Sequence, residues 1–186
     1  MNASSAPPIT EAGTVRRVLV VDDHPVIRYG ISALLNKEAD LEVCGEAGNA
    51  AVALELAQRM KPDAAVIDIS LPGTDGIELV RLIKRSRPEI KVLMLSMQEE
   101  CDCGPRALRA GAHGYLMKDD TVANLVPALR RVLNDGLSIS EELKMHILAQ
   151  GDPKPQGDET ARSMCTSGDR VPPPQGAAGV AAELAS

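Results

Sequence analysis

The chain has no Phe and no Trp, and only two Tyr in 186 residues. Any core must therefore be aliphatic, built from Val, Ile, Leu, Met and Ala. No apolar run approaches the roughly 18 residues that a membrane span needs, so no membrane partner is expected. Met1 to Pro8 carries no positive charge and no apolar block, which argues against a secretory signal. Four Cys in a chain of this length do not make a disulfide framework, and a reducing cytoplasm is expected. There is no basic excess either. The 20 Lys+Arg against 26 Asp+Glu leave a net charge of −6, which argues against a basic nucleic-acid binder. The glycines lack phosphate-loop spacing, so no nucleotide site is expected.

What is present is a chain of 44% hydrophobic residues that divides by composition. Residues 1–14, rich in Ala, Ser and Pro, are expected to be flexible. Residues 15–136 alternate apolar runs with helical patterns. Residues 137–150 read as one further helix. Residues 151–186 hold five Pro and five Gly, with only Val171, Val180 and Leu184 as large aliphatics. Such a tail cannot bury enough apolar surface to offset its conformational entropy, and disorder is expected.

The middle reads as a β/α alternation. Strands are expected at 18–21, 41–44, 64–67, 91–95 and 114–117. Pro25 suits a first helical turn, and Ile27, Ile31, Leu34 and Leu35 form one stripe. Asn49 caps a helix that runs to Met60. Ile77, Val80 and Ile83 line a third helix that stops before Pro88. A short helix is expected from about Arg106 to Ala110, with Cys101 to Pro105 read as an exposed loop. The last helix of the alternation spans about 121–134, with Gly136 as its stop. Pro127 falls inside it and costs about 3 kcal/mol unless the helix kinks. Ser138-Ile139-Ser140-Glu141 matches a capping box ahead of a helix to Gln150. His113 and His146 read as surface residues. Five short strands with helical crossovers imply a doubly wound parallel sheet, with its site at the carboxyl ends of the strands.

Those strand ends carry Asp22 and Asp23, Asp68, Ser96 and Lys118. Three clustered carboxylates repel one another unless a cation joins them. Oxygen ligands favour Mg²⁺ over zinc or copper. A carboxylate can attack a phosphoryl group and hold it as an acyl phosphate. A metal, the Lys118 ammonium and the Ser96 hydroxyl would then stabilise the charge on the transferring group.

The stretch from Val18 to about Gly136 resembles the receiver domain of two-component response regulators. The resemblance rests on Val20-Val21-Asp22-Asp23-His24-Pro25, on Asp68 with Leu71 to Gly76, on Ser96, and on Gly111 to Lys118. The His-Pro pair and the Gly-Ala-x-Gly-Tyr-Leu-x-Lys run are similar to the NarL/FixJ (LuxR-type) branch. The resemblance implies a flavodoxin-like sheet of order 2-1-3-4-5. It implies Asp68 as phosphoacceptor from a sensor histidine kinase. Asp23, Asp68 and the Ser70 carbonyl would hold Mg²⁺, with Asp22 acting through metal-bound water. Ser96 and Tyr115 would form a switch pair, and Lys118 would clamp the phosphoryl group. It allows a homodimer. Catalysis would be confined to the chain's own phosphorylation and dephosphorylation.

The branch usually carries a DNA-reading helix-turn-helix. Residues 151–186 show neither an amphipathic period nor a basic helix, which argues against DNA binding by this chain. A truncated or frameshifted transcriptional regulator and a stand-alone receiver both fit. An Mg²⁺-dependent aspartyl-phosphate phosphatase is the third reading. It would carry a carboxylate two residues after the nucleophile, where this chain has Ser70.

Overall fold

A computed structural model describes residues 14–97 and 100–150. The expected flexible start, apart from Thr14, and the expected disordered tail lie outside the described residues.

The elements alternate in order: β1 (Arg16–Val21), α1 (Pro25–Leu35), β2 (Leu41–Ala47), α2 (Ala50–Met60), β3 (Ala64–Asp68), α3 (Gly76–Ser86), β4 (Lys91–Ser96), α4 (Glu100–Ala110), β5 (Gly114–Met117), α5 (Thr121–Leu133) and α6 (Glu141–Gln150). A single 3₁₀ turn, Lys118–Asp120, joins β5 to α5. The five strands form one parallel sheet of order β2-β1-β3-β4-β5, as expected. The central strands carry aliphatic residues on both faces because helices cover both. Val18, Val20, Val66, Leu93 and Leu95 pack with Ile31 and Leu35 of α1 and with Leu125, Leu129 and Val132 of α5. Leu19, Val21, Ile67 and Met94 alternate with them and are equally buried. Apart from the buried Tyr115, the core is aliphatic, as the absence of Phe and Trp requires.

Local signals account for most boundaries. Pro25 starts α1, which buries Ile31 and Leu35 but leaves Ile27 36% exposed at its first turn. Asn49 caps α2, its side chain accepting from Val52 N at 3.0 Å. Ile77, Val80 and Ile83 are all fully buried on α3.

Four expectations need correction. First, α4 begins at Glu100, so the Cys101 to Pro105 segment is helical and Cys103 is buried. Tertiary packing overrides the local breakers there: Leu143 of α6, fully buried, fits against Gly104, where a Cβ would meet Leu143 Cδ2 at 2.5 Å. Second, the left-handed residue after α5 is Asp135 (φ 61°), not Gly136. Gly136 returns its N–H to Arg131 O at 2.9 Å, an approach that a side chain would obstruct. Third, the α6 cap is Ser140, whose Oγ accepts from Leu143 N at 3.0 Å. Ser138 instead pairs with Gly114 at the edge of β5. Fourth, neither His113 nor His146 is freely exposed; both are partly buried. His113 Nδ1 accepts from Val92 N at 3.3 Å.

Candidate functional site

A parallel sheet delivers all its carboxyl ends to one edge. Strand β1 pairs with β3 through Val21 and Ile67, so the next residues, Asp22 and Asp68, are neighbours. Strand β3 pairs with β4 through Asp68 and Leu95, which brings Ser96 alongside. Lys118 follows the last residue of β5. Asp22, Asp68 and Ser96 are fully buried, whereas Asp23 is only partly so.

The chain must turn back sharply after Asp68 to reach α3. Gly76 makes this possible: a Cβ there would lie 2.1 Å from Asp68 O. Its N–H donates to Ile69 O at 2.8 Å. Asp75 then caps α3, accepting from Ile77 N at 2.9 Å. The Asp-Gly pair thus sets the path of the backbone beneath Asp68.

The charges are arranged around Lys118. Its Nζ stands 2.8 Å from both Asp22 Oδ2 and Asp68 Oδ2. Burial pulls the ammonium down, but Asp22 and Asp68 outweigh it, so the Lys118 pKa is raised. Burial pushes the Asp68 carboxyl up, against the pull of Lys118 and of Ser70 N, which donates to Asp68 Oδ1 at 3.2 Å. Ser70 itself is exposed. Tyr115 is buried, and its hydroxyl is hydrogen-bonded to Ser96. Burial holds that phenol well above its ordinary value.

Two further residues at this edge were given no role at the site from the sequence, although His24 belongs to the His-Pro motif. His24 Nδ1 lies 2.8 Å from Asp23 Oδ1 and 3.3 Å from Asp22 Oδ1. Arg28 donates to the Asp22 backbone carbonyl at 2.6 Å and pairs with Glu46 at 3.3 Å. The position of His24 beside the acidic pair was a usable signal. Arg28 and Glu46 lie on different elements, and only the fold joins them.

One ligand atom each from Asp22, Asp23, His24 and Asp68 can be chosen so that all lie within 4.8 Å of one another. Asp22 Oδ2 and Asp23 Oδ1 are buried without a hydrogen bond, although each faces a cationic or imidazole nitrogen. Carboxylate oxygens left in this state fit a divalent cation with oxygen preference.

Residues 18–130 match the response regulator receiver domain family. The response regulator GacA of Pseudomonas viridiflava is 38% identical over 131 residues, which are 70% of this chain and 61% of that protein. GacA of Pseudomonas aeruginosa is 34% identical over 148 residues, 80% of this chain and 69% of that one. The chain thus spans about three fifths to two thirds of the length of these relatives. A LuxR-family two-component response regulator from Aurantimonas sp. SI85-9A1 superposes with a TM-score of 0.68 at 31% identity, over 74% of this chain and 98% of that one. The response regulator domain of Thermotoga maritima CheB gives 0.60 at 30% identity, over 64% and 97%. Sheet order, acidic edge, buried lysine and these likenesses agree, and the chain belongs to the receiver domain family of two-component response regulators.

Proposed function

We propose that this receiver accepts a phosphoryl group on Asp68 from the phosphohistidine of a sensor histidine kinase. The observation that carries this reading is the buried triad in which Lys118 bridges Asp22 and Asp68 at 2.8 Å each. An Asp68 oxygen attacks phosphorus, the phosphorus–nitrogen bond breaks, and the leaving imidazole takes up a proton. Lys118 moves from a carboxylate partner to the new phosphoryl oxygens as a point charge. The Ser96 hydroxyl donates to another of those oxygens. Asp23, Asp68 and the Ser70 carbonyl would hold Mg²⁺, with Asp22 placed to act through water. When bound, the ion neutralises charge on the transferring group. As Ser96 turns towards the phosphoryl group, it gives up Tyr115, and the face of α4, β5 and α5 changes its packing.

Ser70 occupies the place where an aspartyl-phosphate phosphatase carries its second carboxylate, so turnover of external phosphomonoesters is not expected. Among the described residues, no helix is long and apolar enough to cross a membrane; the cytoplasmic location in this reading rests on membership of the receiver family. Regulation of transcription belongs to the longer relatives and is assigned to this chain only through a partner or further sequence.

The test is labelling with acetyl phosphate in Mg²⁺. Wild-type protein is expected to form a hydroxylamine-sensitive phosphoprotein, which EDTA and Asp68→Asn each abolish. Hydroxylamine-sensitive labelling of the Asn variant would move the site elsewhere.

A further inference from the structure

His24 is not among the carboxylates of the proposed Mg²⁺ site, yet its imidazole stands against them. Its Nδ1 is 2.8 Å from Asp23 Oδ1 and 3.3 Å from Asp22 Oδ1. The backbone helps to set this position. Residues before proline are driven to the extended region, and His24 has φ −87° and ψ 109°. Its N–H donates to Asp22 Oδ1 at 2.7 Å, folding the segment back over the acidic pair. Lys118 occupies the other side of Asp22, facing Oδ2. The cluster is therefore flanked by an ammonium, which cannot ligate a metal, and an imidazole, which can.

We infer that His24 is a metal-selectivity residue that lets this site take a borderline ion of the Co²⁺ or Zn²⁺ class in competition with Mg²⁺. The inference rests on the divalent-cation site proposed above. Hard ions gain little from an imidazole, whereas borderline ions gain much. Tetrahedral bonds of about 2.0–2.2 Å put neighbouring ligands roughly 3.3–3.6 Å apart, and these four ligand atoms already lie within 4.8 Å of one another. The His24 side chain is 61% exposed and free to make the small rotation required. Mg²⁺ would be held by oxygen alone. A borderline ion would add the His24 nitrogen and be retained longer.

The experiment titrates the full chain with Co²⁺ and, separately, with Mg²⁺, and compares His24→Asn and Asp23→Ala. The wild-type Co²⁺ complex is expected to show one exchangeable, hyperfine-shifted imidazole proton by NMR. His24→Asn should remove that signal and weaken Co²⁺ about tenfold, the scale on which a lost ligand-sphere contact acts, while Mg²⁺ changes less than twofold. Asp23→Ala should abolish both, which separates this site from adventitious thiol binding. Equal weakening of both ions by His24→Asn would make His24 only a support for Asp23 and overturn the selectivity. No change with either ion, or no shifted imidazole signal, would overturn it as well. Wild-type protein that binds Co²⁺ through His24 but not Mg²⁺ would instead sink the proposed Mg²⁺ chemistry.

Discussion

Leu143 is fully buried because Gly104 has no side chain. The Leu143 methyl groups occupy the space beside α4 in which a Cβ would come within 2.5 Å. Glu100 reinforces the contact by accepting from Ser140 N at 3.0 Å.

Gly104→Ala therefore sets two effects against each other. Alanine favours the α4 helix by about 1 kcal/mol. The overlap with Leu143 costs about 1–3 kcal/mol. Global stability should change little, because α6 can lift off while the sheet stays folded. Amide exchange across 141–150 should rise several-fold, with β1, β3 and β4 unaffected. Unchanged protection of α6 would show that the notch is not needed.

The acidic edge makes opposite predictions for its two charge signs. Burial raises the Asp68 carboxyl above its unfolded value. The cost of its charge is absent below the unfolded pKa and grows as pH rises through the folded one. Asp68→Asn should therefore raise the metal-free unfolding midpoint at neutral pH, with the gain vanishing in acid. Lys118→Met should do the reverse and cost about 3–5 kcal/mol, since it strands two buried carboxylates together. Thermal melts in EDTA measure both. A destabilised Asn variant would contradict the first.

His113 supplies a separate pH signature. Burial, and then the charges of Lys84 and Lys91, lower its pKa from 6.5 to about 4. The unfolded chain then binds a proton that the folded chain refuses between those values. Stability should be full above about pH 6.5 and fall as pH drops towards 4, by on the order of 1–2 kcal/mol after solvent screening. His113→Gln should flatten urea-midpoint profiles in that window. An unchanged slope would assign the acid loss elsewhere.

Pro127 is exposed in the middle of α5 and denies Ala123 its helical partner. Pro127→Ala restores that hydrogen bond at an exposed position. The urea midpoint should increase by an amount equivalent to about 1–3 kcal/mol. A decrease would mean that the proline positions α5.

These features show where the sequence was readable. Runs such as Val18 to Val21, ending in carboxylates, marked both the strands and the edge at which they converge. Asn49 and Pro25 acted locally and were legible for that reason. The Gly-Pro pair at 104–105 misled, because what sustains α4 is a leucine almost forty residues later. His113 looked like a surface residue because its partner, Val92 N–H, lies on the neighbouring strand. Ser138 resembled a cap because its spacing to Glu141 fits one, yet its backbone pairs with the sheet.

That pairing gives the segment after α5 a second consequence. Strand β5 is four residues long and ends the sheet on its side. Tyr115 N donates to Ser138 O at 2.8 Å, and Ser138 N donates to His113 O at 3.0 Å. At the opposite edge, β2 is guarded differently: Val43 N is taken by Asn36 at 2.9 Å, a register shift interrupts the strand, and Glu42 and Glu46 are exposed. A chain ending at Gly136 would keep the guarded edge and lose the closed one, with backbone donors and acceptors bare beside a hydrophobic strand. Edges of that kind recruit other strands. Ser138 therefore covers the backbone groups through which the β5 edge would pair with another strand.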